Sequence, residues 1–114
     1  MVRLENLTKS FRGRLALGGL SLDIAPGEIF GLLGHNGAGK STTFGMMLGH
    51  IHPDAGEAFI AGHSVQRERA KAISRVGAIF ETPAFYDYMS GWENLRFLVS
   101  LSGLESDGRL MDAV

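Results

Sequence analysis

The residues best suited to chemistry form one run, Gly34-His35-Asn36-Gly37-Ala38-Gly39-Lys40-Ser41. Its spacing is G-x-x-x-x-G-K-[ST], a pattern that cradles polyphosphates. Each residue type has a physical reason. Glycines let the backbone curl until successive N–H groups converge on phosphate oxygens. A helix starting near Lys40 aims the positive end of its dipole at the same point. Lys40 supplies a mobile ammonium for β- and γ-phosphates. Ser41 offers a hydroxyl to Mg²⁺, a hard cation that prefers oxygen ligands. The competing reading is a glycine-rich turn with an incidental Lys-Ser pair. Context separates the two, because the run follows an apolar stretch and opens a helical one, the arrangement this chemistry requires.

The elements that must position this loop can be read in outline. Val2 to Phe11 alternates loosely through Val2, Leu4 and Leu7 and predicts a strand with one wet face. Gly13-Arg14 predicts a turn, and Leu20 to Ile24 alternates strictly as a second strand. Ala25-Pro26-Gly27-Glu28 reads as a tight turn. Ile29 to Leu33 is continuously apolar, which predicts a strand buried on both faces. A helix follows from Lys40 to about Gly49, then a loop over His50 to Gly56, a short strand Glu57 to Ile60 and a turn at Ala61-Gly62. Val65 to Ser74 predicts a polar, basic helix, and Val76 to Phe80 a second buried strand ending at Glu81. Thr82 to Met89 is a loop with three aromatics. Ser90-Gly91-Trp92-Glu93 has capping-box spacing and starts a helix to about Ser102, with an apolar stripe of Leu95, Leu98 and Val99. Gly103 stops that helix, and Ser106 to Val114 begins another.

Composition narrows the classes. Of 114 residues, 45% are apolar and 20% charged, which is not a disordered composition. Glycine is abundant, at 16 residues. Five of these glycines (Gly27, Gly31, Gly34, Gly37, Gly39) cluster around the phosphate loop. With no cysteine there is no disulfide framework, thiolate metal site or thiol nucleophile. A net charge of −1 gives no electrostatic footprint for nucleic acid. The apolar runs are far short of a membrane span, and the N-terminus has no secretory h-region. His50 and His52 form H-x-H without a third ligand at convincing spacing, and read as loop residues. Arg67, Arg69, Lys71 and Arg75, interrupted by Glu68, read as a solvated face.

The stretch from Gly27 to Thr43 resembles the nucleotide-binding domain of ABC transporters. Leu7-Thr8-Lys9-Ser10-Phe11, Pro53-Asp54-Ala55-Gly56-Glu57 and Glu93-Asn94-Leu95 match that family's pattern in the same order. The resemblance implies an α/β P-loop NTPase fold, with an antiparallel β subdomain. It implies ATP and Mg²⁺ as ligands, bound by Gly34, Asn36, Gly37, Ala38, Gly39, Lys40, Ser41, Thr42 and Thr43. Phe11 falls where the family stacks an aromatic on adenine, with Ala16 beside the base. Without the resemblance, a core phenylalanine would be the favoured reading of Phe11.

Glu81 stands where most of the family has glutamine, in a segment (Val76 to Tyr86) resembling the bacitracin and lantibiotic-immunity exporters. There it would hold Mg²⁺ and help position the attacking water, alongside Lys40 as a catalytic group. The plain alternative is a solvated loop carboxylate. Phe85, Tyr86, Tyr88 and Met89 are expected either to meet a membrane permease, as residues 82–89 do in the family, or to fold back into the core. The resemblance also implies a dimer of two nucleotide-binding domains, peripheral to the cytoplasmic face of the membrane.

The Walker B acids, the signature motif and the switch histidine are not found in the sequence, and Leu101-Ser102-Gly103-Leu104-Glu105 departs from the signature at Leu104. The chain is therefore expected to be the N-terminal half of such a domain, truncated before those motifs, and prone to associate. Two rival readings are a nucleotide-binding fragment without turnover and a soluble ABC ATPase.

Overall fold

The computed structural model describes residues 1–79 and 85–101. The chain divides into two compact units, Met1–Gly77 and Ala78–Val114.

The first unit is built on a four-stranded antiparallel sheet. Its strands are β1 (Val2–Phe11), β2 (Arg14–Ile24), β3 (Ala55–Ile60) and β4 (His63–Ser64), in the order β2-β1-β3-β4. β1 and β2 form a hairpin through Arg12 and Gly13, both at positive φ. β2 therefore starts well before the Leu20 expected, because pairing with β1 extends it back to Arg14. The loose alternation in β1 has a local cause. Leu4 and Leu7 are both buried although three residues apart, so one residue must be absorbed between them. Asn6 absorbs it at φ 48°, and the register with β2 and β3 shifts there. Ser21 braces the bulge: its hydroxyl accepts from the Asn6 N–H at 2.9 Å and donates to Asn6 Oδ1 at 3.2 Å. Gly56 crosses the same bulge, and a side chain there would collide with the carbonyl oxygens of Glu5 and Asn6.

Helix α1 (Lys40–Met47) and helix α2 (Arg69–Ile73) cover the apolar side of the sheet. Leu4, Leu7, Ala58 and Ile60 meet Met46 of α1, Ala72 of α2 and Val65 just after β4, all buried. α2 is shorter than the expected Val65 to Ser74 because residues 65–66 are tied to β3. The Val65 N–H donates to Ala58 O at 2.9 Å, and the Ala58 N–H donates to Gln66 Oε1 at 3.1 Å. The basic residues of this region are mostly engaged. Arg67 pairs with Glu57 at 2.6 Å and Lys71 with Glu68 at 2.8 Å, while Arg69 donates to Leu48 O at 3.3 Å.

Two expectations are corrected. Ile29 to Leu33 and Val76 to Ile79 are not strands; Phe80 lies outside the described residues. Ile29 is 100% exposed, Leu33 92% and Ile79 97%. An apolar run reports only that its side chains gain from cover, whereas a strand needs a hydrogen-bonded neighbour. Among the described residues no segment pairs with either run. The turn before the first run is as expected, with the Glu28 N–H donating to Ala25 O at 3.2 Å and Gly27 at φ 80°.

In the second unit, helix α3 (Gly91–Leu101) opens on the expected capping box. The Ser90 N–H donates to Glu93 Oε2 at 2.7 Å and the Glu93 N–H donates to Ser90 Oγ at 3.2 Å. These reciprocal bonds satisfy donors that a helix start leaves open. The Ser90 hydroxyl, which donates to Glu93 Oε2 at 2.7 Å, and then the Ser90 N–H hold the Glu93 carboxyl below its ordinary value. Of the expected stripe, Leu95 and Val99 are half-buried and Leu98 is exposed.

Candidate functional site

The phosphate-type loop runs from the end of the 29–33 segment into α1. Ala38 N–H donates to His35 O at 3.1 Å, closing a turn. Gly37 and Gly39 both sit at φ 86°, a region that favours glycine. Gly39 is the N-cap of α1, with no side-chain cap and no acidic residue in the first turn. The positive end of this eight-residue helix is thus left for an anion.

Lys40 folds back across the loop, its Nζ donating to Gly34 O at 2.5 Å and His35 O at 2.8 Å. A flexible ammonium resting on two carbonyls is held near the loop and can exchange them for phosphate oxygens. Asn36 and Ser41 are exposed and Thr42 half-buried. Thr43 points inward: it is buried, and its hydroxyl donates to Gly39 O at 2.9 Å, so it braces the loop from beneath. These observations fit the phosphates and cation that the sequence implied. Uncapped amides and a lysine would face a bound anion, and the exposed Ser41 hydroxyl could offer an oxygen to a cation.

The hairpin comes up against this loop. A Cβ at Gly39 would lie 2.6 Å from the Ala16 carbonyl oxygen and 3.2 Å from Leu17 Cδ1. Ala16 is therefore brought beside the loop through its backbone. Phe11 stands at the far end of β1, opposite Arg14, and is 46% exposed, so it is not a core residue. The Lys9 ammonium lies 5.5 Å from its ring centroid, within the range of a cation–π contact.

The chain matches the ABC transporter family over residues 17–114. It belongs to that family. An ABC transporter ATP-binding protein of Bacillus subtilis, YhcH, is 47% identical over 84% of this chain and 32% of its own length. The human phospholipid-transporting ATPase ABCA7 is 46% identical over 89% of this chain and 5% of its own. The bacitracin transport ATP-binding protein BcrA of Enterococcus faecalis is 39% identical over 90% of this chain and 33% of its own. The solved ATP-binding subunit of an ABC transporter superposes with a TM-score of 0.82 at 27% identity, covering 93% of this chain and 44% of that one. The fold is the ABC form of the P-loop NTPase fold. The chain spans about a third of the length of the bacterial relatives named here.

Glu81 and residues 82–84 lie outside the described residues. The rest of the aromatic loop belongs to the second unit. Tyr86 packs edge-on against Phe97 of α3, with ring centroids 5.3 Å apart, and Tyr88 leans on Tyr86 at 5.6 Å. Phe85, Tyr86 and Tyr88 are exposed, Tyr88 by 79%, so the loop leaves an aromatic surface open.

One residue of α3 that holds this loop was not singled out in the sequence for its own chemistry. Asn94 is buried, and its side chain organises residues 86–90. Its Oδ1 accepts from the Tyr86 N–H at 2.8 Å. Its two amide hydrogens are shared among Tyr86 O, Met89 O and Ser90 O at 3.1–3.2 Å. The available signal was an asparagine in the first turn of an apolar helix. Asparagine is a poor helix former that bonds readily to nearby backbone.

Proposed function

We propose that this chain binds MgATP at the Gly34–Ser41 loop and serves as part of the ATP-driven subunit of an exporter. What supports the reading most is the uncapped start of α1, with glycine nests before it and the Lys40 ammonium laid across the loop. The backbone amides of residues 37–41 would receive β- and γ-oxygens, and Lys40 would leave its two carbonyls for them. Ser41 would ligate Mg²⁺, which when bound supplies charge neutralisation for phosphoryl transfer. Thr42 lies one residue further into α1, on the side assigned to the α-phosphate. Thr43 keeps the Gly39 carbonyl turned inward, away from the anion. Phe11 would stack on the adenine. Glu81 would serve as a second Mg²⁺ ligand and hold the attacking water.

The exposed aromatics Phe85, Tyr86 and Tyr88 make residues 82–89 the proposed contact with a transmembrane permease. Two such domains would close on ATP as a dimer, at the cytoplasmic face of the membrane. No helix among the described residues is long and apolar enough to cross a membrane. The drug or peptide-antibiotic class of cargo rests on the Glu81 segment and on likeness to the bacitracin protein. The test of the nucleotide site is Lys40→Ala in a fluorescent-nucleotide binding titration. Loss of binding is expected, and unchanged affinity would sink the assignment.

A further inference from the structure

Beyond Ala55, which pairs with Thr8, β3 no longer covers the edge of β1. Ser10 and Phe11 therefore lie past the end of the ladder on that side. Asp54 takes the place of the missing strand. Its own N–H donates to Thr8 O at 2.9 Å. Its Oδ2 accepts from the Ser10 N–H at 2.7 Å, and its Oδ1 accepts from Lys9 Nζ at 2.7 Å. The Lys9 side chain is largely covered, at 17% exposure, and its ammonium sits 5.5 Å from the centroid of the Phe11 ring. Carboxylate, ammonium and ring thus form one chain of contacts that ends on the aromatic.

A phenylalanine 46% exposed at a hairpin end is less confined by packing than a core ring. Here two restraints fix it: the backbone of the preceding residue and a cation against the ring. We infer that Asp54 and Lys9 are positioning residues for base recognition, holding Phe11 ready for a purine. The inference rests on the proposed stacking role of Phe11 and adds the groups that make that stacking pre-organised. The Lys9 bond and the Ser10 amide hold the Asp54 carboxyl below its ordinary value, so the restraint persists through the neutral range.

The test compares two ligands by calorimetry on the full chain in the presence of Mg²⁺. ATP has a base, and inorganic tripolyphosphate has only the phosphates. Phe11→Ala is expected to weaken ATP about 10-fold and to leave tripolyphosphate unchanged. Asp54→Asn and Lys9→Met should each weaken ATP about 3-fold, again sparing tripolyphosphate, while Lys9→Arg retains ATP affinity. Neither Asp54→Asn nor Lys9→Met should add to the loss in a Phe11→Ala background.

If Phe11→Ala leaves the ratio of the two affinities unchanged, the stacking role fails and the inference falls with it. If Phe11→Ala shifts the ratio but Asp54→Asn and Lys9→Met do not, only the inference is overturned. Equal losses for both ligands in Asp54→Asn and Lys9→Met would mean a general structural role and also overturn it.

Discussion

Asn94→Ala isolates what one buried amide contributes to the loop it holds. The substitution removes four hydrogen bonds to residues 86–90, but the loss is smaller than four. Tyr86 O still accepts from the Met89 N–H at 3.0 Å, and Ser90 O from the backbone N–H of residue 94 at 3.0 Å. The groups that lose the partner described here are the Tyr86 N–H and Met89 O. At about 1 kcal/mol per net hydrogen bond, with some desolvation cost on both, the loss is about 2–3 kcal/mol. Alanine returns about 0.5 kcal/mol as a better helix former. The net local destabilisation is about 2 kcal/mol, or about a 30-fold rise in opening of the loop. Hydrogen exchange resolved at the Tyr86 amide reads this directly. The amide should exchange about 30-fold faster in Asn94→Ala, with the β1 amides unchanged. Asn94→Asp should not rescue it, since a carboxylate oxygen would then face carbonyls in place of the amide donor. A Tyr86 amide exchanging at the wild-type rate in Asn94→Ala would refute the role given to this side chain.

Other consequences can be checked separately. Gly39→Ala combines a left-handed backbone with a collision against the Ala16 carbonyl; it should destabilise the first unit by about 2 kcal/mol or more in urea unfolding. Ser90→Ala should cost α3 about 1 kcal/mol, measured by thermal melting. The Glu93 carboxyl is held low in the folded state by Ser90, so its contribution is present above its ordinary value and lost as pH falls through the lower folded one. An NMR titration should therefore find the Glu93 transition raised toward its ordinary value in Ser90→Ala. The exposed side chains of Ile29, Leu33 and Ile79 should make the 114-residue chain associate. A sharp unfolding transition independent of concentration would count against that.

Features set by neighbouring residues were legible in the sequence. The capping box at Ser90 and Glu93, the turn at residues 25–28 and the start of α1 depend on contacts within four residues, and each lies where its residue types place it. The phosphate-type loop belongs to this group, because glycine, lysine and serine act there through local backbone geometry. Features set by distant partners were not legible. The bulge at Asn6 is braced by Ser21, fifteen residues away, and the shortening of α2 comes from Ala58 bonding Gln66. The apolar runs at 29–33 and 76–79 could be read only as strands, since a one-dimensional pattern cannot say whether a neighbour is there to pair with.

The contact between Gly39 and Ala16 makes the two positions unequal under mutation. Residue 16 approaches the loop with its main-chain carbonyl oxygen, which every amino acid has. That oxygen takes up the space where a side chain at residue 39 would begin. In a saturation library position 16 should therefore accept a broad set of residues, while position 39 accepts glycine almost alone. One side of this contact is written in the residue alphabet and the other is not. The hairpin's part in shaping the loop is thus carried by the path of its backbone, which a comparison of residue types at position 16 would miss.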